Sequence, residues 1–262
     1  MTPILVIGGA GRMGSAMIAG WLRAGAFKRE DILVRDPSPG PEALKSGVNF
    51  NPTGAEQASA KTIVLVVKPQ IWSVAAGETQ HDLAPDAVVV SIAAGVAAAD
   101  IATAFNGRRV ARVMPTTAVA ICRGPASVYA ADPVARQRAH ALFDPVSTVV
   151  DLTDEDQMHA ATAVSGSAPA YLYAFVEALE AAGAGLGLAP HAARDLARAT
   201  ISGAAALMAD SGADPAELRR QVTSPGGTTE AALRVLMGDG GLEPLLRSAA
   251  KAASERSRDL GK

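Results

Sequence analysis

Cysteine is almost absent from this 262-residue chain, where Cys122 stands alone. A single thiol excludes an intrachain disulfide framework and any metal site built from several cysteines. It reads as an inert, half-buried small side chain. Histidine is nearly as scarce: His81, His140, His159 and His191 are scattered without metal-ligand spacing, so no metal is expected. Aromatic residues make up only 4%, too few for base-stacking platforms. Neither sign of charge dominates, and a net charge of -2 argues against a polyanion such as nucleic acid as partner. No charged leader precedes the first apolar run, so no signal peptide is expected. The most hydrophobic long stretch, 164–190, carries Glu177, Glu180 and several glycines, and so reads as a buried helix rather than a membrane span. A soluble cytoplasmic protein is the expectation.

What is present is 49% hydrophobic residues in a length that allows two domains. Through the first 150 residues, short β-branched runs recur at Ile4–Ile7, Ile32–Val34, Ile63–Val67, Val88–Ile92, Val110–Val113, Ser127–Tyr129 and Thr148–Val150. Helix-compatible segments such as Met13–Ala24 and Ile71–Leu83 lie between them. Apolar runs without strict alternation suit strands buried on both faces, and strand–helix alternation implies a doubly wound α/β domain. Beyond Asp151 the strand signal disappears. Asp156–Leu188, Pro190–Asp210, Asp214–Gln221, Thr229–Met237 and Leu242–Leu260 read as helices, with Ser167 and Pro169 marking a helix start. The expected organisation is therefore an α/β, Rossmann-like dinucleotide-binding domain over 1–151, followed by an all-helical domain over 152–262. Small apolar faces in the helical half suit burial against a second subunit.

Two constellations carry chemistry. Gly9, Gly11 and Gly14 form G-x-G-x-x-G after the run Ile4–Ile7 and before a helical pattern. That context gives a dinucleotide pyrophosphate a tight turn, close backbone approach and a helix N-terminus, with Gly9, Ala10, Gly11, Arg12 and Met13 facing the phosphates. Asp36 lies 22 residues after Gly14, near the spacing at which an acid receives ribose hydroxyls. Arg35 and Ser38 offer the opposite contacts, a cation and a hydroxyl for a ribose phosphate, so the choice between NAD and NADP stays open; Asp36 also reads as a plain turn residue before Pro37. Ligands of open α/β sheets sit beyond the carboxyl ends of strands. This points Val67, Lys68 and Pro69, and Ala93, Ala94 and Gly95, towards the nicotinamide; Lys68 reads equally as a solvent-exposed cation. The second constellation is Val222–Leu233, where Pro225-Gly226-Gly227 runs into a helix among the hydroxyls of Thr223, Ser224, Thr228 and Thr229. It reads either as a turn before a helix capped by Thr228 or Thr229, or as a socket of backbone amides for a small carboxylate.

Taken together these motifs resemble the pyrroline-5-carboxylate reductase family. The resemblance covers essentially the whole chain. It rests on the glycine turn, Val66–Pro69, Val90–Val96, Arg112–Pro115, Val164–Tyr171 and above all Val222–Leu233. It implies an NAD(P)H-dependent oxidoreductase that reduces the C=N bond of a cyclic imine carboxylate to L-proline, with NADPH as cofactor and NADH as the alternative. It also implies a helical domain that pairs with its twin in a homodimer, often within a larger ring. Carried onto this sequence, Thr229 places its hydroxyl on the imine nitrogen, Ser224, Gly226, Gly227 and Thr228 hold the carboxylate, and Glu155 and Gln221 line the substrate pocket. The chain departs from the family's usual Met-Pro-Asn-Thr-Pro at Thr116 and Ala118, and from the family's pattern again at Ala168, Ala213 and Asp214. The altered 116–118 loop and Ala213 favour, as an alternative, a paralogue reducing another cyclic imine; a catalytically weak nucleotide-binding protein is a further alternative, against which stand the glycine turn and the complete Ser224–Thr229 loop.

Overall fold

The structure, a computed structural model, describes residues 2–261. Contacts divide the chain into two compact units, Met1–Gly166 with Ala252–Lys262, and Ser167–Lys251.

In the first unit the described residues form one eight-stranded sheet. Its strands are β1 (Ile4–Ile7), β2 (Ile32–Arg35), β3 (Asn49–Phe50), β4 (Thr62–Leu65), β5 (Val88–Ser91), β6 (Val110–Pro115), β7 (Gly124–Tyr129) and β8 (Ser147–Asp151). They lie in the order β3-β2-β1-β4-β5-β6-β7-β8, parallel throughout except between β6 and β7. Every residue of β1, β4 and β5 is buried, which is why those runs show no polar alternation. Successive side chains still point to opposite faces. Ile4 and Val6 join one core with Met17, Trp21 and Phe143, while Leu5 and Ile7 join another with Ile63, Ile101 and Phe105. Within the first core the indole N–H of Trp21 donates to the Leu142 carbonyl at 2.7 Å, so its one polar atom is satisfied. The strand order reverses between β1 and β4, which opens a crevice at their carboxyl ends.

β4 ends at Leu65, two residues before the apolar run does: the Val66 N–H still donates to the Ile7 carbonyl at 2.8 Å, and Val66 and Val67 then lie against the glycine turn at Gly8. The last strand ends at Asp151, where the sequence changes from strand-bearing to helical. The compact unit continues to Gly166, since the turns Gln157–Ala161 and Thr162–Gly166 pack on β7 and β6. A single helix over Asp156–Leu188 does not form. A π-helical turn at Thr162–Gly166 interrupts it, and the helix resumes at Ala168 with a proline in its first turn.

The second unit is helical: Ala168–Gly185, Pro190–Ser211, Pro215–Gln221, Thr228–Leu236 and the start of Leu242–Asp259. Helix starts follow sequence signals: proline opens three of them, and the Asp214 carboxylate caps one by accepting the Ala216 N–H at 2.7 Å. Gly212, in the left-handed region at φ 60°, ends Pro190–Ser211. Among the described residues no helix is long and apolar enough to cross a membrane, and no cluster of three His, Cys, Asp or Glu is arranged to hold a metal.

Candidate active site

The glycine turn connects β1 to the helix Arg12–Arg23. Gly8, which the motif spacing does not select, is its strained member: at φ 82° its Cβ would lie 2.6 Å from Val67 Cγ1 and 2.7 Å from the Val66 carbonyl oxygen. A Cβ on Gly9 would come 2.7 Å from Val34 Cγ1, and one on Gly14 would strike the backbone of Gly9. Gly11 is different. A Cβ there would meet nothing nearer than the Gly8 oxygen at 3.9 Å, so that side of the turn is open. Gly11 is also the N-cap, and the first intrahelical bond runs from Ser15 N–H to its carbonyl. The amides of Arg12, Met13 and Gly14 therefore have no partner within the helix. An open glycine over unpaired helix amides fits a pyrophosphate.

Asp36 follows β2 and turns back to this loop, its Oδ2 accepting the Ala10 N–H at 2.9 Å. Its Oδ1 accepts the Ser38 N–H at 3.0 Å, and its own N–H donates to Asn51 Oδ1 at 3.0 Å. Arg35 points elsewhere, donating to Gln57 Oε1 at 3.3 Å and pairing with Asp82 at 3.7 Å. At the end of β4, Val67 packs against Gly8, whereas the Lys68 side chain is exposed.

The loop after β5 is held from behind. Ala93 is buried, and Gly95, at φ 80°, packs so tightly on the chain's end that its Cβ would lie 2.7 Å from the Ser257 oxygen. Glu155 belongs to this region of the first unit: its Oε1 accepts the Ala98 N–H at 2.7 Å and the Arg112 Nη1–H at 2.8 Å. It thus caps the helix Ala98–Ala104 and neutralises a guanidinium that is only 4% exposed. Arg112 opens the Arg112–Pro115 motif of the resemblance, but its pairing with Glu155 is not legible in the sequence, since an arginine inside a β-branched run carries no special spacing. Beside it, burial first, then the Arg112 and Arg258 charges, hold the His159 imidazole below its ordinary pKa, against the raising effect of Asp156 and Glu155. His159 Nδ1 and the buried Ser257 Oγ are hydrogen-bonded at 3.0 Å. Thr116, at the family-divergent loop, faces inward: it is buried, with its Oγ1 against Gly124 and without a hydrogen-bond partner among the described residues.

In the second unit the Pro-Gly-Gly loop brings Gln221, Ser224, Gly226, Gly227, Thr228 and Thr229 onto one short segment. Gly226 adopts φ 71°, and a Cβ on Gly227 would sit 2.5 Å from Ser224 Oγ. Neither threonine caps the helix. The N-cap is Gly227, so Thr228 and Thr229 are the first two helical residues and no cap bond consumes their hydroxyls. Glycine takes the cap because the turn needs a residue without Cβ against Ser224. The Gly226 N–H donates to Glu230 Oε2 at 2.7 Å, and the Gly227 N–H to the Ser224 carbonyl at 3.0 Å. The helix amides at Thr228 and Thr229 remain beyond these two. Thr223 closes the preceding helix by donating to the Arg219 carbonyl at 2.6 Å, while Gln221 Nε2 donates to Glu217 at 3.2 Å.

Residues 155–260 match the family model for pyrroline-5-carboxylate reductase dimerisation, and residues 3–95 match that for NADP oxidoreductase, coenzyme F420-dependent. The pyrroline-5-carboxylate reductase of Pseudomonas aeruginosa is 38% identical over 99% of this chain and 97% of its own length. That of Corynebacterium melassecola is 38% identical over the full length of both. Among solved structures, a pyrroline-5-carboxylate reductase from Coxiella burnetii superposes with a TM-score of 0.89 at 32% identity, covering 100% of this chain and 99% of that one. The Plasmodium falciparum pyrroline carboxylate reductase, solved with NADP bound, gives 0.86 at 25% identity, covering 100% and 98%. With relatives this similar along the whole of both chains, and with a glycine turn and a Pro-Gly-Gly loop built as described, the chain belongs to the pyrroline-5-carboxylate reductase family.

Proposed function

We propose that this chain reduces L-1-pyrroline-5-carboxylate to L-proline, with residues 1–151 holding the nucleotide and 152–262 the substrate and the dimer contact. The observation that carries the substrate assignment is the start of the helix Thr228–Leu236, where two hydroxyls and two amides are left over after the loop has satisfied itself. The amides of Thr228 and Thr229, with Ser224 and the close backbone at Gly226 and Gly227, hold the carboxylate. Thr229 presents its hydroxyl to the ring nitrogen. Gln221 flanks the loop, and Glu155 enters by fixing the amide of Ala98, three residues beyond Gly95.

A bound NAD(P)H supplies the hydride. On the nucleotide side Gly9, Ala10, Gly11, Arg12 and Met13 hold the pyrophosphate, Arg35, Asp36 and Ser38 meet the adenosine ribose, and Val67, Lys68, Pro69, Ala93, Ala94 and Gly95 border the nicotinamide. The hydride adds to the imine carbon, and the C=N electron pair settles on a nitrogen that already carries the iminium proton. Because that nitrogen loses its positive charge as the bond forms, the chain needs orientation and a hydrogen-bonding group more than an acid. A threonine hydroxyl donates or accepts, and so follows the nitrogen through the change. The chain self-associates; a homodimer within a larger ring, located in the cytoplasm and independent of nucleic acid and membrane, completes the proposal.

Turnover of NADH and NADPH with pyrroline-5-carboxylate, run beside piperideine and thiazoline carboxylates, tests the substrate directly. Pyrroline-5-carboxylate is expected to be used best; preference for another ring would transfer the assignment to that imine. Thr229→Ala is expected to lower kcat by one to three decades, about 1.4–4 kcal/mol. Unchanged turnover in that variant would remove Thr229 from the mechanism.

A further inference from the structure

We infer that Asp36 makes this chain select NADH over NADPH by excluding the 2′-phosphate. The inference rests on the nucleotide site proposed above and concerns its adenosine end. Asp36 is more than a solvated turn residue. Its two carboxylate oxygens are fixed by the N–H groups of Ala10 and Ser38, and its own N–H is held by Asn51. The negative charge is therefore pinned to the same glycine turn that receives the pyrophosphate, at the strand end where an adenosine ribose is met.

Each of those oxygens keeps further acceptor capacity after one amide bond. Ribose hydroxyls have protons to give to it. A 2′-phosphate is anionic and, in its dianionic form, has none, so it meets repulsion in place of a hydrogen bond. The Arg35 guanidinium, the neighbouring cation, is committed elsewhere. Arg35 is drawn to Gln57 and Asp82, on the side of the strand end occupied by a cavity of about 310 Å³ lined by Arg35, Pro37, Asn51, Pro52, Gln57 and Glu78. Arg35 is thus paired with Asp82 and shares its cavity with Glu78, two further carboxylates at this end of β2. Ser38 offers no compensating amide, since its N–H already serves Asp36.

The test is equilibrium binding to the full chain, followed by fluorescence, of NADH against NADPH and of ADP against 2′-phospho-ADP. The second pair isolates the ribose from the nicotinamide. NADH and ADP are expected to bind at least tenfold tighter than their phosphorylated counterparts. Asp36→Asn keeps an acceptor for the turn while removing the charge, and is expected to shrink that ratio at least fivefold; Asp36→Ser provides a second neutral variant if the first is poorly folded. Equal or tighter binding of NADPH by the unaltered chain overturns the inference, as does a ratio that both neutral variants leave unchanged. Failure of all four nucleotides to bind overturns the nucleotide site itself, and the inference with it.

Discussion

At the scale of single residues, the glycine turn contains two kinds of glycine. Gly8, Gly9 and Gly14 are required by the protein, because an added methyl group would strike Val66 and Val67, Val34, or the backbone of Gly9. Gly11 answers to nothing in the protein: its backbone, at φ -72° and ψ 174°, is one that alanine adopts freely, and the space beside it is open. On the proposed function, that space is where the pyrophosphate approaches the turn. Gly11→Ala is therefore expected to leave thermal stability within about 0.5 kcal/mol of the parent, as for a surface change, while weakening nucleotide binding tenfold or more. Melting curves and a fluorescence titration read the two effects separately; undiminished affinity would mean that the pyrophosphate lies elsewhere. Spacing in the sequence exposes three of these glycines but not Gly8, where a side chain is excluded by Val66 and Val67, residues distant in the sequence. Asp36 is legible by its distance from Gly14, yet its bonds to Ala10 and Ser38 are not, since they depend on how β2 closes over the turn.

At the scale of elements, the loop after β5 is shaped by the last residues of the chain. A Cβ on Gly95 would lie 2.7 Å from the Ser257 oxygen and 2.8 Å from the Gly261 nitrogen, and a Cβ on Gly261 would in turn strike the Gly95 carbonyl. Two backbones meet where neither tolerates a side chain, and the Ser257–His159 hydrogen bond fixes the helix end beside them. Gly261→Val is expected to displace the Ala93–Gly95 loop, raising KM for NAD(P)H about tenfold with a smaller change in the KM for the imine. Equal effects on both values would mark a general loss of fold instead. Sequence pattern reveals β1, β2 and β5, each with three or more consecutive apolar residues, because burial on both faces demands such runs. It does not reveal β3, whose two residues form no run, or the break at Thr162–Gly166, where an apolar stretch continues through a π-helical turn. Nor does it reveal the contact of Gly95 with Gly261, for which no local signal exists.

At the scale of the whole molecule, the helical unit cannot account for its own composition as a single copy. Among its described residues only Ala193 and Ala197 are buried. Ala168–Gly185 is an 18-residue, largely apolar helix with no buried position, and Leu172, Phe175 and Leu179 along it are 45%, 38% and 37% exposed. A helix this largely apolar belongs against a core, and this one lacks a core to enter until another copy supplies it. Completing the burial of each such side chain contributes on the order of 1 kcal/mol, so the cost of association is outweighed only when many of them act together. The dimerisation match over residues 155–260 covers this same segment. Light scattering at micromolar concentration is therefore expected to give at least twice the mass of one chain, with a melting temperature that rises with protein concentration as mass action requires. The pair Leu172→Glu and Leu179→Glu, one helical face seven residues apart, is expected to lower that mass and abolish the concentration dependence. A parent chain that stays monomeric with a concentration-independent melting temperature would show that these apolar positions are covered within the single copy.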